Sequence, residues 1–106
     1  MPDQRTHIAR IILEQIGIGT VAAISGLRHG PITDGRPGVD LPVAAGYRVI
    51  VEYDQASDLY DVHRVFRRGG KDHPHGTAAG VWAGQLSEVA YRASCFRDRD
   101  PSGTFN

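Results

Sequence analysis

The sequence predicts an α+β domain, an antiparallel β-meander of about four strands packed with an N-terminal and a C-terminal helix. Three observations carry this expectation. Tyr47, Val49, Val51 and Tyr53 alternate with Arg48, Ile50 and Glu52, the clearest period of two in the chain. Ile8, Ile11, Ile12 and Ile16 recur at helical spacing near the start, and Trp82, Leu86, Val89, Ala93 and Phe96 recur at three- and four-residue steps near the end. A chain of 106 residues is the size of one domain, so residues 1–106 are read as one α+β unit with one core.

The first helix is expected over Arg5 to Ile16, capped by Asp3 or Thr6 and ended by Gly17. Thr20 to Ser25, rich in β-branched and small residues, reads as a short buried strand. Gly26 to Gly38 carries two turn signals and no period, and is expected to be an exposed loop of the length that often serves function. Val39 to Val43 alternates as a half-buried strand, restricted by Pro42 to a sheet edge or to a position where no ladder donor is required. After Ala44-Ala45-Gly46 comes the strand Tyr47 to Tyr53, then a turn at Asp54 to Asp58. The strand Leu59 to Arg67 completes a hairpin, with Tyr60, Val62, Arg64 and Phe66 on one face and Asp61, His63, Val65 and Arg67 on the other; Phe66 is read as core. A second loop is expected over Asp72 to Gly76, with Thr77 capping a helix from Ala78 to Phe96. Gly84 inside that helix implies a close contact with the sheet, and residues 97–106 read as a frayed tail.

Composition removes several function classes. No apolar run approaches the ~20 residues of a membrane span, and the polar N-terminus lacks a signal-peptide core, so a cytoplasmic protein with no membrane partner is expected. The single cysteine, Cys95, excludes an internal disulfide and any Cys-x-x-Cys site, and its place near a helix C-terminus disfavours a reactive thiolate. Twelve basic and twelve acidic residues leave no net charge to spread a nucleic-acid footprint over the surface. The glycines form neither a phosphate loop nor a dinucleotide fingerprint, and no cofactor is expected.

Three constellations carry chemistry. Arg64, Arg67, Arg68 and Lys71, with Phe66 interleaved, form the strongest local basic cluster, and such a segment can hold phosphates while an aromatic ring stacks on a base. His73 and His75 flank Pro74 and, with His63, are candidate metal ligands; no second cluster with ligand spacing supports them, and a solvated turn explains them more simply. Asp54, Asp58 and Asp61 suggest a cation site, but aspartates favour turns for local reasons. His7, His29 and His63 show no acid–base partner at a diagnostic spacing.

The motifs Ala23-Ile24-Ser25-Gly26, Ser57-Asp58-Leu59-Tyr60-Asp61-Val62 and Gly80-Val81-Trp82-Ala83-Gly84-Gln85-Leu86, taken with the element order, resemble a family of small phage and mobile-element proteins of unassigned role. The resemblance implies a shared fold and a phage or prophage setting in a bacterial cytoplasm. The shared positions are aromatic, glycine and apolar, so no catalytic residue is carried over. The loops at Gly26 to Gly38 and Arg68 to Gly76 depart from the family. The expectation is therefore a non-enzymatic binding protein, monomer or homodimer, that engages a host or phage macromolecule. A protein partner is favoured, as an inhibitor of host defence or regulation. The alternative is a nucleic-acid binder using Arg64, Arg67, Arg68 and Lys71.

Overall fold

A computed structural model describes residues 4–33 and 35–95 of the chain. The elements are α1 (Gln4–Ile16), α2 (Ile18–Ser25), β1 (Gly30–Pro31), β2 (Gly38–Pro42), β3 (Tyr47–Asp54), β4 (Leu59–Arg68), β5 (Lys71–Val81), a 3-10 turn (Ala83–Gln85) and α3 (Leu86–Ser94). The strands form one sheet in sequential order, and every neighbouring pair is antiparallel. The fold is thus the expected α+β meander with helices before and after the strands.

Register explains where the core sits. Val39, Val51, Val62 and Ala78 stand opposite one another across β2 to β5, and Leu41, Val49 and Arg64 form the next row. Because side chains alternate along a strand, both rows point to the same face. Ala9, Ile12 and Ile16 of α1, Val21 and Ile24 of α2, and Leu86, Val89, Ala90 and Ala93 of α3 close over that face. Each fully buried Leu, Ile or Val contributes roughly 1.5–3 kcal/mol, and this layer is the main source of stability. No single helix among the described residues is long and apolar enough to cross a membrane.

The structure corrects three assignments. Thr20 to Ser25 is the end of a helix rather than a strand. Gly17, with φ of 92°, ends α1, and the chain restarts as α2 after a 95° bend. Val21, Ile24 and Ser25 are then buried at three- and four-residue spacing, and Gly26 closes the helix at φ 63° with its N–H 2.9 Å from the Ala22 carbonyl. The β-branched residues that suggest a strand belong to a helix packed against neighbours, and burial overrides their weak propensity.

The second correction lies after β4. Gly69 and Gly70, with φ of 60° and 77°, make the two-residue left-handed turn that matches sheet twist, so the segment Asp72 to Gly76 continues as an edge strand, not a loop. Thr77 stands opposite His63 instead of capping a helix, and α3 begins only at Leu86. Trp82 is consequently 57% exposed, outside the buried helix face assigned to it. A Cβ on Gly84 would lie 2.2 Å from the Trp82 ring, so the glycine accommodates that indole rather than the sheet. Register shifts in the β4–β5 ladder also erase the alternation that would have marked β5.

The third concerns Phe66. It is half-buried, outside the main core, with its ring centroid 5.1 Å from Tyr47 and 6.2 Å from His75. The expected loop Gly26 to Gly38 is interrupted by β1, whose Gly30 and Pro31 pair with Asp40 and Val39. Phe96 and the tail at residues 97–106 lie outside the described residues.

Candidate functional site

The four basic candidates do not form one patch. Arg64 shares the helix-side face with Leu41 and Val49 and is only 4% exposed. Its Nε donates to the Ala93 carbonyl at 2.8 Å, and its Nη2 donates to the carbonyls of Arg92 at 3.1 Å and Cys95 at 3.3 Å. The side chain thus satisfies the last carbonyls of α3 and places a cation at the negative end of the helix dipole. Arg67 points to the opposite face and grips Asp72 as a fork, Nε to Oδ1 at 2.5 Å and Nη2 to Oδ2 at 3.0 Å, with Asp40 at 3.1 Å. Arg68 and Lys71 remain exposed beside the Gly69-Gly70 turn.

The open face of the sheet carries a lattice of charges that sequence reasoning missed. Arg48 Nε lies 2.6 Å from Asp40 Oδ1. Arg36 Nη2 reaches Glu52 Oε1 at 3.1 Å and Asp61 Oδ2 at 2.8 Å. Glu52 Oε1 is also 2.6 Å from His63 Nε2, and His63 Nδ1 is 2.9 Å from Thr77 Oγ1. A carboxylate only accepts, so the His63 Nε2 carries a proton and donates it to Glu52. His63 therefore does have an acid and a hydroxyl partner, brought together by register rather than by sequence spacing. Strand alternation could have placed Glu52 and His63 on one face, but nothing local to the sequence gives Thr77 as the third member. With Arg36 on the same carboxylate oxygen, the relay ties β3, β4, β5 and the segment before β2 together.

These pairs set an acid response. Burial opposes ionisation of Asp61, but hydrogen bonds from Arg36 and the Gly80 N–H and the Arg36 charge prevail and hold its carboxyl below the ordinary 3.8. A hydrogen bond from Arg67 holds Asp72 below 3.8 in the same way. A depressed folded value gives stability that is complete above the unfolded pKa and lost as pH falls through the folded one. Urea midpoints should therefore be flat on this account from neutral pH down to about 5 and should fall below about 4. The combined Asp61→Asn and Asp72→Asn variant should be less stable at neutral pH and show a shallower acid decline; an unchanged acid profile would remove these two carboxyls from the explanation.

The candidate metal ligands separate. His63 is occupied by Glu52 and Thr77, whereas His75 packs edge-on against Tyr47 at 5.6 Å, and His73 lies opposite Phe66. Among the described residues, no group of three His, Cys, Asp or Glu side chains is placed to hold a metal ion. Asp54 and Asp58 act in their turn: Asp54 accepts from the Ala56 N–H at 3.2 Å and the Ser57 hydroxyl at 2.9 Å, and Asp58 accepts from the Tyr53 hydroxyl at 2.6 Å.

A different surface is apolar. The bend between α1 and α2 leaves a groove of about 460 Å³ lined by Leu13, Ile18, Val21 and Leu27 together with the polar Arg10, Glu14 and His29. Ile18 is 78% and Leu27 51% exposed. A second hollow of about 350 Å³ continues it along α1 past Ala9 to Pro31 and shares Leu13 and Arg10. The sequence gives little warning of this surface, because Ile18 is turned outward only by the helix restart at Gly17. No protein-family model, curated protein or solved structure matches the chain.

Proposed function

We propose that the protein is a non-enzymatic binding module that takes an amphipathic helix of a partner protein into the groove between α1 and α2. The observation that carries this reading is that Ile18 and Leu27, large apolar side chains left exposed, both line one groove. Exposed apolar side chains that cluster around a concavity, unlike scattered ones, mark binding surfaces. The polar lining supplies the chemistry of the partner. Arg10 and Glu14 stand one turn apart on α1 with opposite charge, which fits a helix that carries an acid and a base at the same interval in the opposite direction. A phage or mobile-element setting, and a target in host defence or regulation, rest on the family resemblance alone. The nucleic-acid reading loses support, since Arg64 is enclosed and Arg67 is neutralised by two aspartates.

The test begins with capture from bacterial lysate by the wild type and by an Ile18→Glu, Leu27→Glu variant in parallel. It continues with calorimetry on the purified partner. Both changes are at exposed positions, so thermal stability should barely move while affinity drops by about tenfold or more. A partner that binds both proteins equally would overturn the groove as the binding surface. Retention of DNA or RNA at low salt, lost on Arg68→Ala with Lys71→Ala, would favour the alternative.

A further inference from the structure

A third cavity, of about 300 Å³, lies on another side of α1, where Ile8, Ile11 and Gln15 face the β3–β4 hairpin at Tyr53, Asp58 and Tyr60. Its volume is at the lower end of the range for small-molecule sites. Gln15 Oε1 is buried and has no hydrogen-bond partner, although the same side chain hydrogen-bonds the Tyr60 hydroxyl. An unpaired buried acceptor is destabilising, and native proteins keep few of them. The rings of Tyr53 and Tyr60 lie 5.5 Å apart, inclined at 47°. Asp58 lines the cavity from the β3–β4 turn, with φ of 57°.

We propose that this cavity binds a small organic ammonium compound with an apolar body. The Asp58 carboxylate accepts from the Tyr53 hydroxyl and selects positive charge on the ligand. Tyr53 and Tyr60 both line the cavity and supply aromatic rings, whose quadrupoles attract a cation, and Ile8 and Ile11 cover a hydrocarbon portion. A carboxylate ligand would meet like charge at Asp58. The volume suits a compound with one ring or a short alkyl chain.

The probe is 2-phenylethylamine, with 2-phenylethanol as an uncharged compound of the same shape, titrated calorimetrically into the whole protein near neutral pH. The amine should bind at one site, at least about tenfold tighter than the alcohol. Asp58→Asn, which keeps a residue suited to the left-handed backbone, should abolish that preference and leave the alcohol unaffected. No saturable binding of the amine, equal binding of amine and alcohol, or an unchanged preference in Asp58→Asn would each overturn the proposal. Because the cavity and the α1–α2 groove share no side chain, either can fail without the other.

Discussion

Replacing Arg64 with methionine is expected to lower the unfolding free energy by roughly 3 kcal/mol or more, enough to leave a domain of this size marginal. Three carbonyl contacts at the end of α3 depend on this one guanidinium, those of Arg92, Ala93 and Cys95. Methionine preserves much of the apolar stem but removes the guanidinium from all three carbonyls, of which that of Arg92 keeps another donor, the Cys95 N–H at 3.1 Å, and each hydrogen bond to a charged group contributes about 1.5–3 kcal/mol. The cation at the helix C-terminus is lost as well. Arg64→Lys should recover only part of the deficit, because a single ammonium lacks the planar fork that spans several carbonyls. Urea denaturation measures the loss, and hydrogen exchange locates it, with faster exchange expected first in α3. A methionine variant as stable as the wild type would show that water satisfies the helix end equally well. Nucleic-acid affinity, were any found, should not depend on Arg64 except through folding.

Arg64 also shows what the sequence can and cannot disclose. Alternation along β4 places it on the face of Tyr60 and Val62, yet its charge reads as solvated because nothing local reveals that a helix terminus will end above it. β3 was legible for the opposite reason. It is central, paired on both flanks, and its two faces meet different environments, so Val49 and Val51 alternate cleanly with Arg48 and Glu52. β5 is an edge strand whose register shifts break the period, and only the Gly69-Gly70 pair announced the hairpin. The binding surfaces were least legible. The groove depends on the bend at Gly17, the relay of Glu52, His63 and Thr77 on strand register, and the Gln15 cavity on the distance between α1 and a hairpin far along the chain.

The sheet edges bear on how the molecule associates. Pro42 sits in β2, beyond the short cover that β1 gives Val39 and Asp40, and Pro74 sits in β5. Proline lacks an N–H, so neither edge offers an uninterrupted row of donors, and both oppose strand-to-strand addition of a second copy. The proposed groove lies away from both edges, on the helix side, where Ile18 and Leu27 are exposed.

Gly38→Ala is the other substitution expected to have a large effect, and it adds only a methyl group. A Cβ at this buried position would lie 1.9 Å from the Val51 carbonyl oxygen and 2.9 Å from Ile32 Cδ1. The isoleucine tip can rotate away, but the carbonyl belongs to the central strand and cannot yield without moving the ladder. Gly38 stands opposite Glu52, and the neighbouring Pro37 carbonyl accepts from the Tyr53 N–H at 2.9 Å, so displacement here also strains the start of β2. Overpacking of a well-ordered interior costs about 1–3 kcal/mol, and a clash with backbone belongs at the upper end. The thermal midpoint should fall by roughly 10–20 °C. Gly30→Ala provides the control, since its Cβ would meet nothing within 4 Å, and its midpoint should stay close to that of the wild type. The Gly38 variant should also loosen the hold of Arg36 on Glu52 and Asp61, because the displaced segment carries that arginine. Its amides around Glu52 and Asp61 should therefore exchange faster than those of α3. Equal stability of the two alanine variants would show that β2 can move off β3 at little cost, contrary to the close approach seen at Gly38.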